Sequence, residues 1–558
     1  MSCLKSSENA YFSKTVDFCA EIRYNESKKN NKEVLFVGIY LNPDNIDFQR
    51  ALNSEIYVDK TELIKYTNKV LNTEQQFICV SRPRRFGKSM AGDMLAAYYS
   101  RGCDSKEMFS KYKISADPCF EKHLNKYNVI HINMVNFLGE SKNIDEMVQF
   151  ISDDIIDEVI EQYPDLNMPR RKTLLNVLNK AFAQFKIPFI FIIDEWDCIF
   201  RELKNDKESQ EKYLDFLRDI MKDQSYVALA YMTGILPIKK YGKHSALNMF
   251  TEIAMTNAVP IQEFTGFTEN EVIKLCKEYK KDFNEVKRWY DGYTVDGESI
   301  YNPKSVVEAL TRGTFKNYWT STENYEALEE FIFRNDDGLR DTVIKLIAGE
   351  KKKIDPSTFN NDMVTFNSQD DVLTLLVHLG YLTFDSETNE VAIPNYEVSE
   401  QFASTIRNKD WAEVSRSLKV SDELLQSTLN CDAERVAQLI SDSHSDNTSI
   451  LQYNDENSLA CVLSISYYSA RKDYILHREL PTGKGFADLV FIPRIGRTLP
   501  ALIIELKKGH SAEEAIQQIK DNNYIHKVSE YSPEIILVGI NYDEKKGHTC
   551  MIEKYEIK

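Results

Sequence analysis

The sequence predicts an α/β protein. A parallel sheet wrapped by helices fills the first half, a helical and winged-helix region the middle, and a smaller α/β domain the C-terminal end. Three observations carry this. Between residues 77 and 234, short apolar runs alternate with amphipathic helical stretches, the pattern of a layered sheet. One of those runs, "IPFIFIIDE", is almost unbroken in its apolar character, as a strand buried on both faces must be. The segment 451–558 reads helix, strand, strand, helix, strand.

Taken in order, residues 1–36 are an N-terminal extension closed by the polar run "NESKKNNKE". Residues 37–259 form a core. In it "EVLFVGIYL", "FICVS", "YNVIHINM", "IPFIFIIDE" and "YVALAYMTG" read as strands, and "KSMAGDMLAAYY", 143–163 and 170–186 as helices with apolar residues at helical spacing. Residues 260–330 are shorter helices rich in Tyr and Trp, a lid-like subdomain containing "RWYDGYTV" and "YNPKSVVEAL". In 331–450, "DDVLTLLVHLGYLTFDSETNEVAIPN" reads as a helix and a hairpin, the shape of a winged helix. A polar helical connector follows, and "SDSHSDNTS" reads as a linker.

Composition excludes several classes. The 558 residues are 42% hydrophobic and 28% charged, ordinary for a globular chain. A formal net charge of −17 gives no overall field to hold nucleic acid, so any contact with DNA needs a local groove. Ten scattered cysteines without a CxxC pair argue against a zinc finger or disulfide framework. They fit reduced thiols in an intracellular setting, cytoplasmic or, in a eukaryote, nuclear. No signal peptide and no membrane-length apolar run is seen, so no membrane partner is expected.

"FICVSRPRRFGKS" ends as a phosphate-binding loop ends, with Gly87, Lys88 and Ser89 between a strand and a helix. In such a loop, backbone N–H groups surround the phosphates, the Lys reaches the β- and γ-phosphates, and the Ser hydroxyl sits on Mg²⁺. Arg82 stands where the first glycine is usual, and Arg84 and Arg85 add positive charge near phosphate. Asp194 and Glu195, at the end of the buried apolar strand, stand where a Walker B pair belongs. Asp194 would hold Mg²⁺ through water and Glu195 polarise the attacking water. Thr233 ends the next strand, where a residue that senses the γ-phosphate is common. ATP and Mg²⁺ are the cofactors this pattern calls for.

"GKGFADLVFIPR" and "PALIIELKKG" carry a second constellation. Asp488 opens one strand, and Glu505 and Lys507 lie two apart on the next, hence on one face. Carboxylates brought together on adjacent strands make a hard oxygen site for Mg²⁺, and a lysine beside them orients water or balances charge on a phosphate. Glu456, opening the preceding helix, adds a further carboxylate toward the metal. Gln518 and Tyr524 lie in the helix that follows.

Both stretches, with "YVDKTELI", "IIDEWD", "TGILPI", "WYDGY" and "YNPKSV", resemble the AAA-ATPase-like proteins whose C-terminal domain is a PD-(D/E)xK nuclease-like fold. The resemblance runs from about residue 38 to the C-terminus. It implies a P-loop NTPase module of the AAA/STAND type, a winged-helix segment and a restriction-endonuclease-like domain over 451–558. "RPRRFGKS" is the family's own form of the P-loop. By motif, the ATP site falls on Lys88, Ser89, Asp194 and Glu195, and the nuclease site on Asp488, Glu505 and Lys507. Glu456 and Gln518 carry over less directly; for Gln518 and Tyr524 the departure is in spacing, since related nucleases often carry Gln-x-x-x-Tyr and the separation here is longer.

The expected function is therefore an ATP-binding, ATP-hydrolysing protein coupled to a Mg²⁺-dependent nuclease that cuts DNA. The alternative is an ATP-driven switch whose nuclease fold serves only to bind. Arg201 suits either a neighbour's nucleotide in a homo-oligomer or an ordinary salt bridge, and the salt bridge is the expectation. Trp289, Tyr290 and Tyr293 are expected to be a small aromatic core rather than a base-stacking platform, His131 a strand-core residue, and His510 a loop residue.

Overall fold

The computed structural model describes residues 36–238, 247–257, 259–295, 297–319, 330–332, 336–407, 412–444, 456–481, 486–522, 524–543, 545 and 547–556. The chain divides into two units. The first ends at Phe267 and includes Asn360–Thr365; the second holds Thr268–Phe359 and Phe366 onward.

In the first unit, strands β1 (Phe77–Ser81), β2 (Asn128–Asn133), β3 (Phe189–Asp194), β4 (Val227–Gly234) and β5 (Thr251–Ile253) form a parallel sheet. Its order is β2-β3-β4-β1-β5. β1, β3 and β4 are buried along their whole length, as their apolar sequences require. Helix α1 (Lys88–Tyr99) follows β1, α2 (Ile144–Gln162) and α3 (Leu174–Phe185) lie between β2 and β3, and α4 (Lys207–Met221) precedes β4. The Asn143 and Thr173 side chains accept from backbone N–H groups of the first turns of α2 and α3, which fixes where both helices start. β4 sits between β1 and β3, so the C-terminal ends of these three strands lie side by side. That edge of an open parallel sheet is where ligands bind.

One expected strand does not form among the described residues; its first three residues lie outside them. Within "EVLFVGIYL", Leu41 makes a single antiparallel bridge to Ile130, and Phe36–Tyr40 are irregular. The N–H groups of Ile39, Tyr40 and Leu41 instead donate to the Glu158 carboxylate on α2, at 2.7, 3.0 and 2.6 Å. A carboxylate that gathers successive N–H groups takes the donors a ladder needs.

In the second unit, α5 (Phe283–Tyr290) precedes the expected helix and hairpin: α6 (Gln369–Leu379), β6 (Thr383–Asp385) and β7 (Glu390–Ala392), the last two antiparallel. Helices α7 (Tyr396–Arg407), α8 (Ala412–Leu429), α9 (Ala433–His444) and α10 (Glu456–Ser466) follow. The expected linker "SDSHSDNTS" begins inside α9; the rest of it lies outside the described residues. The terminal sheet runs β8 (Tyr474–Pro481), β9 (Phe486–Pro493), β10 (Ala501–Lys508), β11 (Glu534–Asp543) and β12 (Gly547–Glu556) in that order. Neighbours are antiparallel except β10 and β11, which the helix α11 (Ala512–Asp521) connects in parallel. The sequence reading of this segment therefore lacks two strands. Val490, Ile503, Ile516 and Leu537 are part of its core.

Glu397, on α7, is 2% exposed. Its Oε1 accepts from the Tyr318 N–H at 2.7 Å, the Trp319 N–H at 2.9 Å and the Ser305 hydroxyl at 3.0 Å. Burial outweighs these bonds and pushes its carboxyl up to about 7. The folded state then binds a proton more tightly than the unfolded chain. The stabilisation this gives is complete below the ordinary carboxylate range and is lost as pH rises toward 7. Glu397→Gln keeps an acceptor oxygen and removes the titration. Between pH 5 and 8, wild type should lose on the order of 2 kcal/mol relative to the variant. Equal pH slopes in thermal or urea unfolding of the two proteins would refute this.

Candidate functional site

The phosphate-loop end of the first unit is built by close hydrogen bonding. Gly87, at φ +84°, opens α1, and Arg85 is also left-handed at φ +70°. The loop between β1 and α1 thus turns at two positions, of which the glycine is unstrained. Lys88 is 5% exposed, and its Nζ donates to the carbonyls of Arg82 and Pro83, each at 3.0 Å. Burial lowers its pKa, opposed by the carboxylates of Glu195, Asp197 and Asp194. The Ser89 hydroxyl donates to Asp194 Oδ2 at 2.7 Å, and the Asn133 amide reaches the same oxygen at 3.3 Å. Thr233, arriving from β4 between the other two strands, donates to Asp194 Oδ1. Ser89, Asp194 and Thr233 are therefore in one hydrogen-bonded cluster beside Lys88.

Glu195 follows at φ +55°, a left-handed conformation that costs a non-glycine residue about 1–3 kcal/mol. Burial raises its pKa. Its carboxylate pairs with Arg201, whose Nε is 3.2 Å from Asp197. Arg201 thus makes the expected salt bridge within its own chain. Asp197, fully buried, also accepts from the N–H groups of Ile235 and Leu236 at 3.1 and 2.9 Å. It ties the segment after β3 to the segment after β4. Gly234 makes room for this: a Cβ there would lie 2.7 Å from the Trp196 ring and 2.8 Å from Asp197 Oδ1.

The basic residues before Gly87 differ among themselves. Arg82 is 1% exposed, and donates from Nε to the Thr265 hydroxyl and from Nη1 to the Ser81 carbonyl, both at 3.1 Å. It anchors the loop from inside. Arg84 is exposed and Arg85 half-buried. His131 is half-buried on β2, with Nε2 3.8 Å from Asp93. Asp93 itself is pushed up to about 7 by burial, then by Asp47 and Asp194. The sequence reading passed over Asn133, Asp197 and Asp93. The second aspartate of "DEWD" was the one available signal for Asp197.

In the second unit, Asp488 lies on β9 and Glu505 and Lys507 on β10. Asp488 Oδ2 accepts from the Leu506 N–H at 2.8 Å, which fixes that carboxylate against β10. Glu505 is 1% exposed; the Gln518 amide of α11 donates to its Oε1, and Lys507 Nζ lies 3.7 Å from the same oxygen. The strand is buried on both faces from Ala501 to Leu506, so Glu505 is a carboxylate held inside the domain, unlike one on a half-exposed strand. Gln518 joins the cluster. Tyr524 does not: it packs in the core with Ile519 and Val528. Glu456 opens α10, and its side chain lies outside the described residues. His510 is an exposed loop residue near Glu514. Tyr290 and Tyr293 are buried, and Trp289 packs edge-on against Tyr396, so the tyrosine-rich motif is an aromatic core.

Both sites place oxygen groups of the kind a hard cation takes. The first offers a hydroxyl and a carboxylate 2.7 Å apart, the second a buried carboxylate beside an ammonium. Among the described residues, no cluster of three or more His, Cys, Asp or Glu side chains is placed to hold a metal. No described helix is long and apolar enough to cross a membrane.

Residues 46–242 match the family described as predicted AAA-ATPase, and residues 454–552 match the PD-(D/E)XK nuclease superfamily. An uncharacterized protein in the vnfD 5′ region of Azotobacter chroococcum mcd 1 is 23% identical over 273 residues, 48% of this chain. The chain spans 50% of that relative's length. Solved structures with local similarity include the Aeropyrum pernix ORC2 protein, at 12% identity and a TM-score of 0.27 over 64% of this chain and 98% of that one. Cdc6p from Pyrobaculum aerophilum is 10% identical, with a TM-score of 0.22 over 66% and 99%. The chain carries a domain of the predicted AAA-ATPase family at residues 46–242 and a domain of the PD-(D/E)XK nuclease superfamily at residues 454–552.

Proposed function

We propose that this protein binds and hydrolyses ATP in its first unit and uses that cycle to control Mg²⁺-dependent hydrolysis of DNA phosphodiesters by its C-terminal domain. The observation that carries the reading is the presence in one chain of two clusters suited to phosphate chemistry: Ser89, Asp194 and Thr233 beside Lys88, and Glu505 with Lys507 and Gln518.

In the first, Lys88 exchanges two backbone carbonyls for the β- and γ-phosphates, with Gly87, Arg84 and Arg85 lining their approach. Ser89 and Asp194 would hold the magnesium, which when bound neutralises charge between the phosphates. Thr233, bonded to Asp194, is positioned to register the γ-phosphate. Glu195 orients the attacking water once Arg201 releases it. In the second, Asp488, Glu505 and Glu456 would hold the metal that polarises the scissile phosphate and its water. Lys507 balances charge on the phosphoryl oxygens, and Gln518 keeps Glu505 in place. The helix α6 and hairpin β6–β7 serve in this scheme as a winged-helix contact to DNA. Because the chain is strongly acidic, that contact must be local.

The test incubates the full chain with supercoiled plasmid and single-stranded DNA, with Mg²⁺ or Mn²⁺, with and without ATP. The expected result is metal-dependent cleavage whose rate changes with ATP. ATP turnover without cutting would overturn the nuclease and leave the nucleotide-driven switch.

A further inference from the structure

The second unit contains a cleft of about 730 Å³ that belongs to neither cluster above. Its lining includes the apolar Leu346, Ala348, Ile393 and Pro394. The same lining is rich in basic groups, Lys287, Arg288, Arg471, Arg478 and Arg494, with two carboxylates, Asp291 and Glu350. Arg478 is paired with Glu350, and Lys287 lies 3.7 Å from Asp291. The remaining three arginines converge. Arg288 and Arg494 each donate from Nη2 to the carbonyl of Arg471, at 3.2 Å. Arg288 also bonds Glu285 at 3.2 Å and stacks over the Tyr396 ring at 4.4 Å. Arg471 lies over Tyr468 at 5.1 Å.

Neither Arg471 nor Arg494 forms an ion pair with a carboxylate among the described residues, and Arg471 Nη2, Arg494 Nε and Arg288 Nε are buried without a hydrogen-bond partner there. Burial lowers the pKa of Arg471, and burial followed by repulsion from Arg288 brings Arg494 down to about 10. Glu285 pairs with Arg288 and, with Asp473, attracts Arg494. Neither Arg471 nor Arg494 has a carboxylate within ion-pair distance among the described residues, so an added anion would be stabilised beside these three guanidinium groups. The backbone supports the arrangement. Gly292 has φ +101° and a Cβ there would meet the Pro394 carbonyl oxygen at 1.8 Å, so only glycine lets these two backbone segments approach. The glycine of "WYDGY" thus helps shape the cleft.

We propose that this cleft binds a phosphorylated small molecule of nucleotide size, its phosphates on Arg288, Arg471 and Arg494 and its remainder against the apolar lining residues. The volume lies within the roughly 300–1,000 Å³ usual for small-ligand sites. Planar guanidinium donors match phosphate oxygens in pairs. A cleft of this volume, lined by apolar as well as basic residues, suits a compact ligand better than a duplex backbone. The site stands apart from metal-dependent cleavage: Arg494 follows β9 at the end opposite Asp488, about 20 Å along the strand. The inference goes beyond the proposed function and does not depend on it.

The test is calorimetric binding of pyrophosphate, ADP and a 5′-phosphorylated 12-mer to the full-length chain without divalent metal, in a Lys88→Ala background. Saturable binding of pyrophosphate and ADP is expected, weakened tenfold or more by Arg471→Gln. Because Arg471→Gln risks misfolding, Ile393→Trp fills the cleft from an apolar lining position with every arginine intact, and should also weaken binding tenfold. Arg494→Lys, which keeps the charge and loses the planar fork, should lose less. Absence of saturable binding, binding unchanged by both Arg471→Gln and Ile393→Trp, or binding of the oligonucleotide alone would each overturn the proposal.

Discussion

Glu505→Gln is expected to lower DNA cleavage by the full chain about 1,000-fold, with ATP binding changed less than about twofold. Glutamine has the same shape and can still accept from Gln518, so the domain should fold. What disappears is the negative charge, in a position almost closed to solvent. A buried carboxylate is a far stronger ligand for a hard cation than an amide oxygen, and water cannot substitute for it there. Lys507→Ala removes an ammonium 3.7 Å from the same oxygen and should cost about 100-fold. The two variants separate by their metal dependence. Glu505→Gln should shift the Mg²⁺ titration to higher concentration, whereas Lys507→Ala should lower the plateau and leave the midpoint in place. Wild-type cleavage by Glu505→Gln in a protein with an unchanged melting curve would remove this cluster from the reaction.

Much of the architecture is legible in the sequence where one physical requirement dominates. "FIFIID" can only be a strand buried on both faces, and Asp194 falls at its end because a charge cannot lie further in. Gly87 announces the left-handed opening of α1. The alternation through Glu505 and Lys507 puts both on one face, as the approach of Lys507 Nζ to Glu505 Oε1 at 3.7 Å requires. Other features depend on partners far along the chain. "EVLFVGIYL" has the residues of a strand, but the N–H groups of Ile39, Tyr40 and Leu41 are taken by Glu158, 119 residues beyond Ile39. Tyr524 stands close in sequence to Gln518 yet packs in the core, because the helix breaks between them and turns its ring inward. The insertion of β4 between β1 and β3, which brings Thr233 to Asp194, has no local sign at all.

Arg82 and Lys88 lie six residues apart in one basic loop, and their substitution should produce opposite patterns. Lys88→Met is expected to weaken ATP binding on the order of 100-fold while changing the stability of the nucleotide-free protein by less than about 1 kcal/mol. The buried ammonium has only two backbone carbonyls as hydrogen-bond partners among the described residues, and burial works against its charge. Removing it sacrifices those two bonds and relieves the cost of a buried cation, and the two effects nearly cancel. A phosphate loses its strongest donor, and nothing replaces it. Arg82→Ala should behave in the reverse order. Its guanidinium ties the loop to Thr265 and Ser81, and its removal leaves a void and unmet acceptors worth about 3 kcal/mol or more. ATP affinity would then fall only as far as the loop loosens. Thermal unfolding without nucleotide, paired with ATP titration, reads both quantities. A larger loss of stability in Lys88→Met than in Arg82→Ala would exchange the two assignments, and undiminished ATP binding in Lys88→Met would show that the nucleotide does not use this loop.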